Sequence, residues 1–575
     1  MPASRIALPL LWLCLAASGS APFLVQLHTY PITTFYNEFV AAACWFGVSG
    51  CILGMTLRSR VGLPVIALAP LGLIGALLLQ LLVSTPLNPF FSFAAIVCLF
   101  GVAAVCGLGA RSRELPGTLE ALAIGLIIGA VATAGIETMQ LLRLSGWSNY
   151  ISTVTEGPNR RMWGNLNQPN HIGSYLAFGI AACLFLAQRY RRPAVPLMLL
   201  VVPLLWGMAL TVSRTSWLLI IAIGVLAGAA VDTPQRGGRV WLRRLAPLLL
   251  LMVAYQVCNW AMDYGNVRWS WGLPGSLSDR VQQGIGFRPF LWNHAWHMFL
   301  AHPWLGAGWG DYAWNQYVQT DVLGHVEMSM NAHNIVLDLL AKIGVIGLFV
   351  VTIPFLGLIR LIWRQVKRAE GAFLWTIVVV MGIHSMLEFP LHYLYFLLPF
   401  AFALGYLDMR ILRFPSGSMA WLLTALISIG VAVLLPALWS DYRRVEQLYY
   451  STNSTTAQTE HYRANPSILL TPYATLAIAI NANVTYEMAP IQAALERHAA
   501  QFYPGSGPVQ LYALALALQG KNDEAVVQVR RLYNQYWTYY GTQSQVLTAS
   551  CAKKKDDLKE FCSRLKAENL LVESK

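Results

Sequence analysis

Long apolar runs recur along this chain of 575 residues. A helix needs about 20 apolar residues to cross the hydrocarbon core of a membrane, and thirteen stretches approach or exceed that length. They are 6–26, 38–57, 64–83, 90–109, 118–138, 171–188, 194–211, 217–231, 245–262, 335–359, 373–388, 391–407 and 419–438. Charged residues make up 12% of the chain, half the roughly 25% of soluble domains. We therefore predict an all-α polytopic membrane protein with about thirteen transmembrane helices. Twelve or fourteen stay open, because 217–231 is short and the runs around Pro390 nearly fuse.

The distribution of basic residues predicts the orientation. With the N-terminus inside, the inner segments carry 18 Lys and Arg, whereas the longer outer loops before the final span carry 7. This asymmetry follows the positive-inside rule, so the net charge of +13 needs no nucleic-acid partner. We predict a membrane domain over 1–440 with outer loops at about 139–170 and 263–333, followed by an external domain over 441–575. The first span can also be read as a signal peptide.

The predicted external domain has the periodicity of a soluble helical protein. Residues 508–519 and 523–536, separated by a turn at Gly520, predict a helical hairpin of the tetratricopeptide kind. A helical cap packed on the membrane part fits the same pattern equally well. Cys551 and Cys562 lie outside the spans and can form a disulfide in an oxidising compartment. No cysteine–histidine pattern predicts a metal site.

Two arginines are candidates for binding phosphate at the outer face. Arg214 lies in the short turn TVSRTS, and Arg288 precedes Pro289 in the larger loop. A guanidinium is permanently charged and its forked donors match phosphate. The alternatives are a snorkelling anchor for Arg214 and a solvated loop charge for Arg288.

His333 is the candidate general base. It lies in NAHN immediately before a span, and an imidazole accepts protons near neutral pH. A structural role is the alternative for a lone histidine. Asp338 and Lys342, four residues apart, are expected to neutralise each other on one helix face.

The segment NLNQPNH at 165–171 brings amide side chains to the start of a span. Asn165, Gln168 and Asn170 offer donors and acceptors suited to hydroxyl-rich or phosphate ligands. The alternative is helix capping by Asn167 or Asn170.

These segments together carry a family resemblance. They are the opening motif LHTYPITTFYNE at 27–38, NLNQPNH at 165–171, the Arg214 turn, HPWLGAGWG at 302–310, and NAHN followed by LDLLAKIGVIG. The chain resembles bacterial protein O-oligosaccharyltransferases, the pilin-glycosylating branch of the O-antigen ligase and polymerase superfamily. The resemblance implies an inner-membrane glycosyltransferase, without metal or cofactor, whose site and C-terminal domain are periplasmic. It also implies transfer of a glycan from undecaprenyl pyrophosphate to Ser or Thr hydroxyls of periplasmic proteins such as pilins.

The resemblance also assigns roles to residues. The essential histidine falls on His333, the important glutamine on Gln168, and the phosphate-binding arginines on Arg214 and Arg288. An essential tyrosine is expected near 389–395, where Phe389 occupies one position and leaves Tyr393 and Tyr395 as candidates. Further candidate substrate-binding residues are Asn165, Asn170 and Asn334.

Three rival functions remain open at the sequence level. An O-antigen ligase that uses lipid A core, or a polysaccharide polymerase, needs nearly the same site with a sugar hydroxyl as acceptor. A metal-dependent oligosaccharyltransferase is disfavoured because the outer loops lack a DxD-type carboxylate pair. A lipid-linked glycan transporter is expected to show repeated halves and broken mid-membrane helices, which the sequence does not clearly show.

Overall fold

The structure, a computed structural model, describes residues 3–571 apart from 57–61, 148, 155–159, 191, 193, 232–239, 275–285, 414–416, 451–459, 461 and 554–555. Parts of both predicted outer loops therefore lie outside the described residues. The helices of the first 440 residues are α1 (Ala3–Leu24), α2 (Phe35–Thr56), α3 (Leu68–Val83), α4 (Pro89–Ser112), α5 (Thr118–Leu141), α6 (Pro169–Arg189), α7 (Ala194–Leu210), α8 (Thr215–Ala229), α9 (Val240–Trp269), α10 (Arg288–Ala301), α11 (Tyr312–Leu323), α12 (Ile335–Ile359), α13 (Ile362–Gln365), α14 (Ala369–Ser385), α15 (Leu394–Leu407) and α16 (Gly417–Tyr450).

Each predicted span coincides with one of these helices. Among the described residues, eight helices are long and apolar enough to cross a membrane. The helices α7, α8, α14 and α15 are apolar but only 14 to 17 residues long. The chain is thus an α-helical polytopic membrane protein, and the number of crossings stays a prediction.

One compact unit comprises Met1–Leu71, Cys98–Gly284 and Val350–Leu435. In its core α1 packs on α2 and α5, and α6 packs on α5, α7 and α14. A side chain at Gly125 would place its Cβ 2.1 Å from the Ala16 carbonyl oxygen, so only glycine permits this close α1–α5 contact. A short antiparallel pair, β1 (Gly62–Pro64) and β2 (Ile411–Arg413), sets Gly62 opposite Arg413.

The second compact unit comprises Gly72–Val97, Ile285–Phe349 and Pro436–Lys575. Its C-terminal helices are α17 (Thr471–Ile480), α18 (Ala489–Phe502), α19 (Ser506–Leu518), α20 (Asn522–Tyr536), α21 (Tyr540–Gln543), α22 (Gln545–Lys553) and α23 (Lys559–Ala567). The two helices of the predicted hairpin are α19 and α20, which pack together around buried leucine, valine and alanine side chains. A disulfide joins Cys551 to Cys562. The tetratricopeptide assignment stays a prediction.

The C-terminal helices share the second compact unit with residues 285–349, which include most of the larger loop. Arg531 on α20 binds the Asp321 carboxylate on α11 through Nε and Nη2. The Tyr317 hydroxyl, also on α11, donates to Gln528 Oε1 at 2.8 Å. These long-range contacts, which local periodicity does not encode, draw the loop into the second unit. The predicted boundary at residue 440 itself stays a prediction.

Candidate active site

The segment NLNQPNH forms the start of α6 in the first unit. Gln168 is the N-cap residue, and its side-chain oxygen accepts a hydrogen bond from the His171 backbone N–H at 3.0 Å. Asn167 has a positive φ of 53°, a conformation that asparagine tolerates better than most residues. The capping expected of Asn167 or Asn170 is performed by Gln168, because Gln168 is the residue directly before the helix and its side chain reaches forward to the first turn.

Asn165 anchors the segment to the loop before it. Its Nδ2 donates to the carbonyl oxygens of Leu24 at 2.8 Å and Tyr150 at 3.0 Å, and its Oδ1 accepts from the Ser152 N–H. Its own carbonyl oxygen accepts from His28 Nε2 at 2.5 Å. Because His28 belongs to the opening motif, the two motifs that carry the resemblance meet here. Asn165 is 1% exposed, and these contacts favour an anchoring role over direct substrate contact.

Asn170 connects three separate parts of the first unit. Its Oδ1 accepts from the Ser213 hydroxyl at 2.8 Å and from Arg161 Nη2 at 3.4 Å. Its Nδ2 donates to Glu388 Oε1 at 3.3 Å. Ser213 directly precedes Arg214, so Asn170 ties the arginine turn to the start of α6.

The Arg214 turn ends at the N-terminus of a helix. Val212 has a positive φ of 46°, and Arg214 is the residue immediately before α8. The first N–H groups of a helix have no intrahelical acceptors and carry partial positive charge. A half-buried guanidinium beside such a terminus is chemically suited to an anionic ligand.

The two candidate tyrosines differ in accessibility. Tyr395 is 1% exposed, and its hydroxyl lies 3.3 Å from His171 Nδ1. Tyr393 is half-buried and stacks on Tyr395, with ring centroids 5.3 Å apart. Between them, the Leu394 N–H donates to Glu38 Oε2 at 2.6 Å. Tyr393 is therefore the better placed of the two to touch a ligand, while Tyr395 supports His171.

A buried polar cluster behind this segment was missed by sequence reasoning. Ser174 and His384 are joined through Oγ and Nδ1 at 2.8 Å, and the rings of His171 and His384 lie 5.4 Å apart. His171 and Ser174 are one helical turn apart within an apolar run, and this spacing was the available signal. Their partner His384 lies on α14, a helix distant in sequence that packs on α6 in the folded protein.

His333 lies in the second unit, in the turn immediately before α12. It has a positive φ of 54° and is half-buried. On either side the backbone is fixed, since the Ala332 N–H donates to Asp338 Oδ1 at 2.9 Å. Asn334 Oδ1 accepts from the N–H groups of Val336 and Leu337. Asn334 thus caps α12, and the caps hold His333 in a turn at the helix start.

The expected Asp338–Lys342 pair is confirmed. Lys342 Nζ lies 3.0 Å from Asp338 Oδ2 and 2.5 Å from Asn331 Oδ1, with both ionic side chains almost fully buried. The rings of Trp309 and Tyr312 lie about 5.5 Å from the ammonium, close enough for cation–π attraction. This pair fixes the NAHN turn to α12.

The HPWLGAGWG loop fills a break in α12. Gly344 has φ 66° and ψ −164°, which interrupts the helix. The N–H groups of Val345 and Ile346 donate to the carbonyls of Pro303 and Trp304, and the Ala307 N–H donates to the Ala341 carbonyl. The peptide groups released by the break are therefore hydrogen-bonded by the loop.

Arg288 is the first residue of α10 and is half-buried in the second unit. This helix packs through Ala295 and Met298 in a cluster that includes Ala332, the neighbour of His333. His294 on the same helix is 1% exposed. Burial, reinforced by the nearby His297, lowers the pKa of His294 to about 4, so this ring is neutral at physiological pH and a poor base.

The candidate residues therefore fall into two sets. The first unit holds Asn165, Gln168, Asn170, Arg214, Tyr393 and Tyr395, and the second holds Arg288, His333 and Asn334. In the first set, hydrogen bonds join the α6 start to the Arg214 turn, and His171 joins it to the tyrosine segment.

Comparison with known proteins identifies relatives along most of the chain. Residues 199–352 match the family described as O-Antigen ligase, and residues 372–549 match the family described as Virulence factor membrane-bound polymerase, C-terminal. A General O-oligosaccharyltransferase of Acinetobacter baylyi is 25% identical over 75% of this chain and 76% of its own length. A ComP-specific O-oligosaccharyltransferase of the same organism is 24% identical over 68% and 69%.

The matched regions contain Arg214, Arg288, His333 and the tyrosine segment. The expected resemblance is confirmed by both the family matches and the named relatives. The chain is similar to the O-antigen ligase superfamily and, within it, to the O-oligosaccharyltransferases, and it is a multi-pass membrane glycosyltransferase.

Proposed function

We propose that this protein transfers a preassembled oligosaccharide en bloc from undecaprenyl pyrophosphate to Ser or Thr hydroxyls of periplasmic proteins such as pilins. The donor, the acceptor and the inner-membrane location with a periplasmic site are parts of this proposal. The names of the two Acinetobacter baylyi relatives support it. The observation that carries it is the Asn170–Ser213 hydrogen bond, which ties the arginine turn to the glutamine-capped helix.

The proposed reaction is a direct displacement at the anomeric carbon of the donor. The acceptor hydroxyl oxygen forms the new bond to that carbon, and the bond from the carbon to the pyrophosphate oxygen breaks. His333 takes the hydroxyl proton as general base. Undecaprenyl pyrophosphate leaves with the bonding electron pair, and Arg214 and Arg288 stabilise its added negative charge.

Gln168 orients the donor or acceptor in this proposal. Its oxygen already accepts the His171 N–H, which leaves the amide nitrogen as the donor for a substrate oxygen. Tyr393 is the tyrosine we assign to the site, because it is half-buried whereas Tyr395 is enclosed.

The test is glycosylation of a pilin-like protein in a bacterial host that makes a lipid-linked glycan and lacks its own ligase. We expect intact-mass analysis to show a glycan-sized gain on Ser or Thr with the wild type and none with His333→Ala. His297→Ala is the matched control, because this histidine is exposed on α10 and has no assigned role. Full transfer by a folded His333→Ala protein would contradict the assignment of the base.

A second candidate function has its own support. The two family matches carry the descriptions of an O-antigen ligase and a membrane-bound polymerase. Either activity would use the same base and arginines with a sugar hydroxyl as acceptor. Glycan on lipid A core, or lengthened glycan chains, without protein modification would favour this second candidate.

A further inference from the structure

An aromatic cleft of about 210 Å³ lies within the second unit, apart from the residues assigned above. It is lined by Phe287 and Glu327 of the large loop and by Tyr503, Gln535, Trp537 and Tyr539 of the C-terminal region. The four aromatic side chains are between 37% and 65% exposed. Such a cluster of exposed rings beside polar groups is typical of a binding surface rather than of packing.

The two walls of this aromatic cleft are held together by specific contacts. The Val326 N–H, next to Glu327, donates to the Asn534 carbonyl, next to Gln535, at 3.2 Å. Asn534 Nδ2 in turn donates to the Thr320 carbonyl at 3.1 Å. The cleft is therefore preformed, so that a ligand need not order it on binding.

Trp537 is oriented but not covered. The His325 ring stacks on it with centroids 5.4 Å apart and planes 21° from parallel, and the Phe287 ring meets it edge-on at 6.2 Å. Even so, 41% of Trp537 stays exposed. The surrounding rings thus fix an accessible indole in one position.

Gln535 adds a polar group without a partner. It is 1% exposed, and among the described residues neither its Oε1 nor its Nε2 meets a hydrogen-bond partner. A buried amide without partners costs about 1–3 kcal/mol, which makes it unusual in a cleft wall. A ligand hydroxyl that reaches the amide can donate to Oε1 and accept from Nε2.

A sugar ring matches these groups. One face of a pyranose presents C–H groups that pack on aromatic rings, and its edge presents hydroxyls that both donate and accept. The Glu327 carboxylate accepts from hydroxyls, and the Gln535 amide can do both. The cleft volume of about 210 Å³ is large enough to admit a single sugar unit.

We propose that the aromatic cleft is a carbohydrate subsite that holds a sugar of the transferred oligosaccharide beyond the reacting one. Met328, which also lines the cleft, is five residues before His333. At about 3.6 Å per residue their Cα atoms lie at most about 18 Å apart, within the span of an oligosaccharide. This inference rests on the proposed transferase function and adds to it a contact that recognises glycan length.

The first experiment measures transfer with two donors, one bearing the full glycan and one bearing only the first sugar. For Trp537→Ala we expect kcat/KM to fall roughly tenfold with the full glycan, the loss that follows from about 1.4 kcal/mol of ring stacking. With the single-sugar donor we expect no change. Trp537→Phe should retain most of the activity, because it keeps an aromatic face. Tyr486→Ala, which removes a 71% exposed tyrosine outside the cleft, is the matched control.

Equal losses with both donors would overturn the proposal and leave Trp537 a structural role. A rise in KM for the acceptor protein alone would overturn it in favour of a peptide site.

The second experiment separates this subsite from the catalytic proposal. Purified full-length protein is titrated with the free oligosaccharide released from the full donor, and binding is followed by calorimetry. We expect binding by the wild type and by His333→Ala, and at least tenfold weaker binding by Trp537→Ala. Absence of binding by a wild-type enzyme that transfers the same glycan would overturn the subsite. If wild type and His333→Ala transfer equally but the Trp537→Ala binding defect remains, the catalytic proposal fails and the carbohydrate site stands.

Discussion

Asn170 offers the sharpest test of how the first unit positions Arg214. In Asn170→Asp the new carboxylate can still accept from Ser213 and Arg161, as Oδ1 does now at 2.8 and 3.4 Å. It can no longer donate to Glu388 Oε1, now 3.3 Å from Nδ2. Two carboxylates then face each other where Glu388 is only 8% exposed. We expect the carboxylates to move apart and draw the Ser213–Arg214 turn with them.

The magnitude follows from the lost contact. A hydrogen bond to a buried charged group contributes about 1.5–3 kcal/mol, and each 1.4 kcal/mol corresponds to a tenfold change. Asn170→Asp should therefore lower kcat/KM for the lipid-linked donor by roughly 10- to 100-fold. Glu388→Gln alone should have a smaller effect, because its amide oxygen still accepts from Asn170.

The assay is donor titration of purified enzyme with a fixed acceptor, with thermal unfolding measured on the same samples. The double variant Asn170→Asp, Glu388→Gln exchanges donor and acceptor and should recover most of the activity, with a coupling energy of about 0.5–3 kcal/mol. Asn481→Ala, at an exposed residue of the C-terminal region, is the control. Wild-type activity in Asn170→Asp, or a double variant as impaired as the single one, would refute the reasoning.

Three further predictions concern stability. Lys342→Met should lower the free energy of unfolding by about 3–5 kcal/mol, because the buried Asp338 carboxylate loses its ion-pair partner. Lys342→Met with Asp338→Asn should recover part of this in thermal melts, because the amide removes the charge and its oxygen can still accept the Ala332 N–H. An unchanged melting temperature in the single variant would contradict the prediction. Gly344→Ala should destabilise the protein, because φ is 66° and the new Cβ would lie 2.3 Å from the Trp304 carbonyl oxygen. The matched change Gly430→Ala, within α16 and with no atom within 4 Å, should not lower the melting temperature, because alanine is the better helix former. Burial raises the pKa of Glu496 from 4.5 to about 8. The contribution of this residue to stability is therefore complete below pH 4.5 and is lost as the pH rises towards 8, at up to about 1.4 kcal/mol per pH unit. Glu496→Gln should reduce this loss in thermal melts between pH 5.5 and 8, and a pH profile identical to that of the wild type would contradict the prediction.

Sequence patterns were most informative where structure is local. Apolar runs of membrane length marked the helices, and the four-residue spacing of Asp338 and Lys342 predicted their ion pair, because both depend on helical periodicity. The sequence also predicted that the amide side chains of NLNQPNH matter, but it did not predict the separate structural role of each one. Gln168 caps α6 through the nearby His171 N–H, whereas Asn165 anchors the preceding loop through the Leu24 carbonyl oxygen, which is distant in sequence.

The parts that escaped prediction depend on contacts between distant segments. No local pattern around His171 predicts its ring contact with His384, which is 213 residues away. The approach of the Tyr395 hydroxyl to the same ring is equally absent from the local sequence. The aromatic cleft likewise combines residues near 287, 327, 503 and 537. No local sequence pattern links these segments, so the sequence alone does not predict that their aromatic side chains share one site.

The interrupted helix α12 limits how this chain can be engineered. The backbone groups around Gly344 find their partners in residues 303–307, while Gln80 on α3 binds the carbonyls of Leu305 and Lys342. A donor loop grafted without its own helix break would therefore leave peptide groups unpaired in an apolar setting. The smallest transplantable cassette runs from Pro303 through Ile346, so a chimera designed to alter glycan preference must exchange the loop, the NAHN turn and the broken helix as one piece.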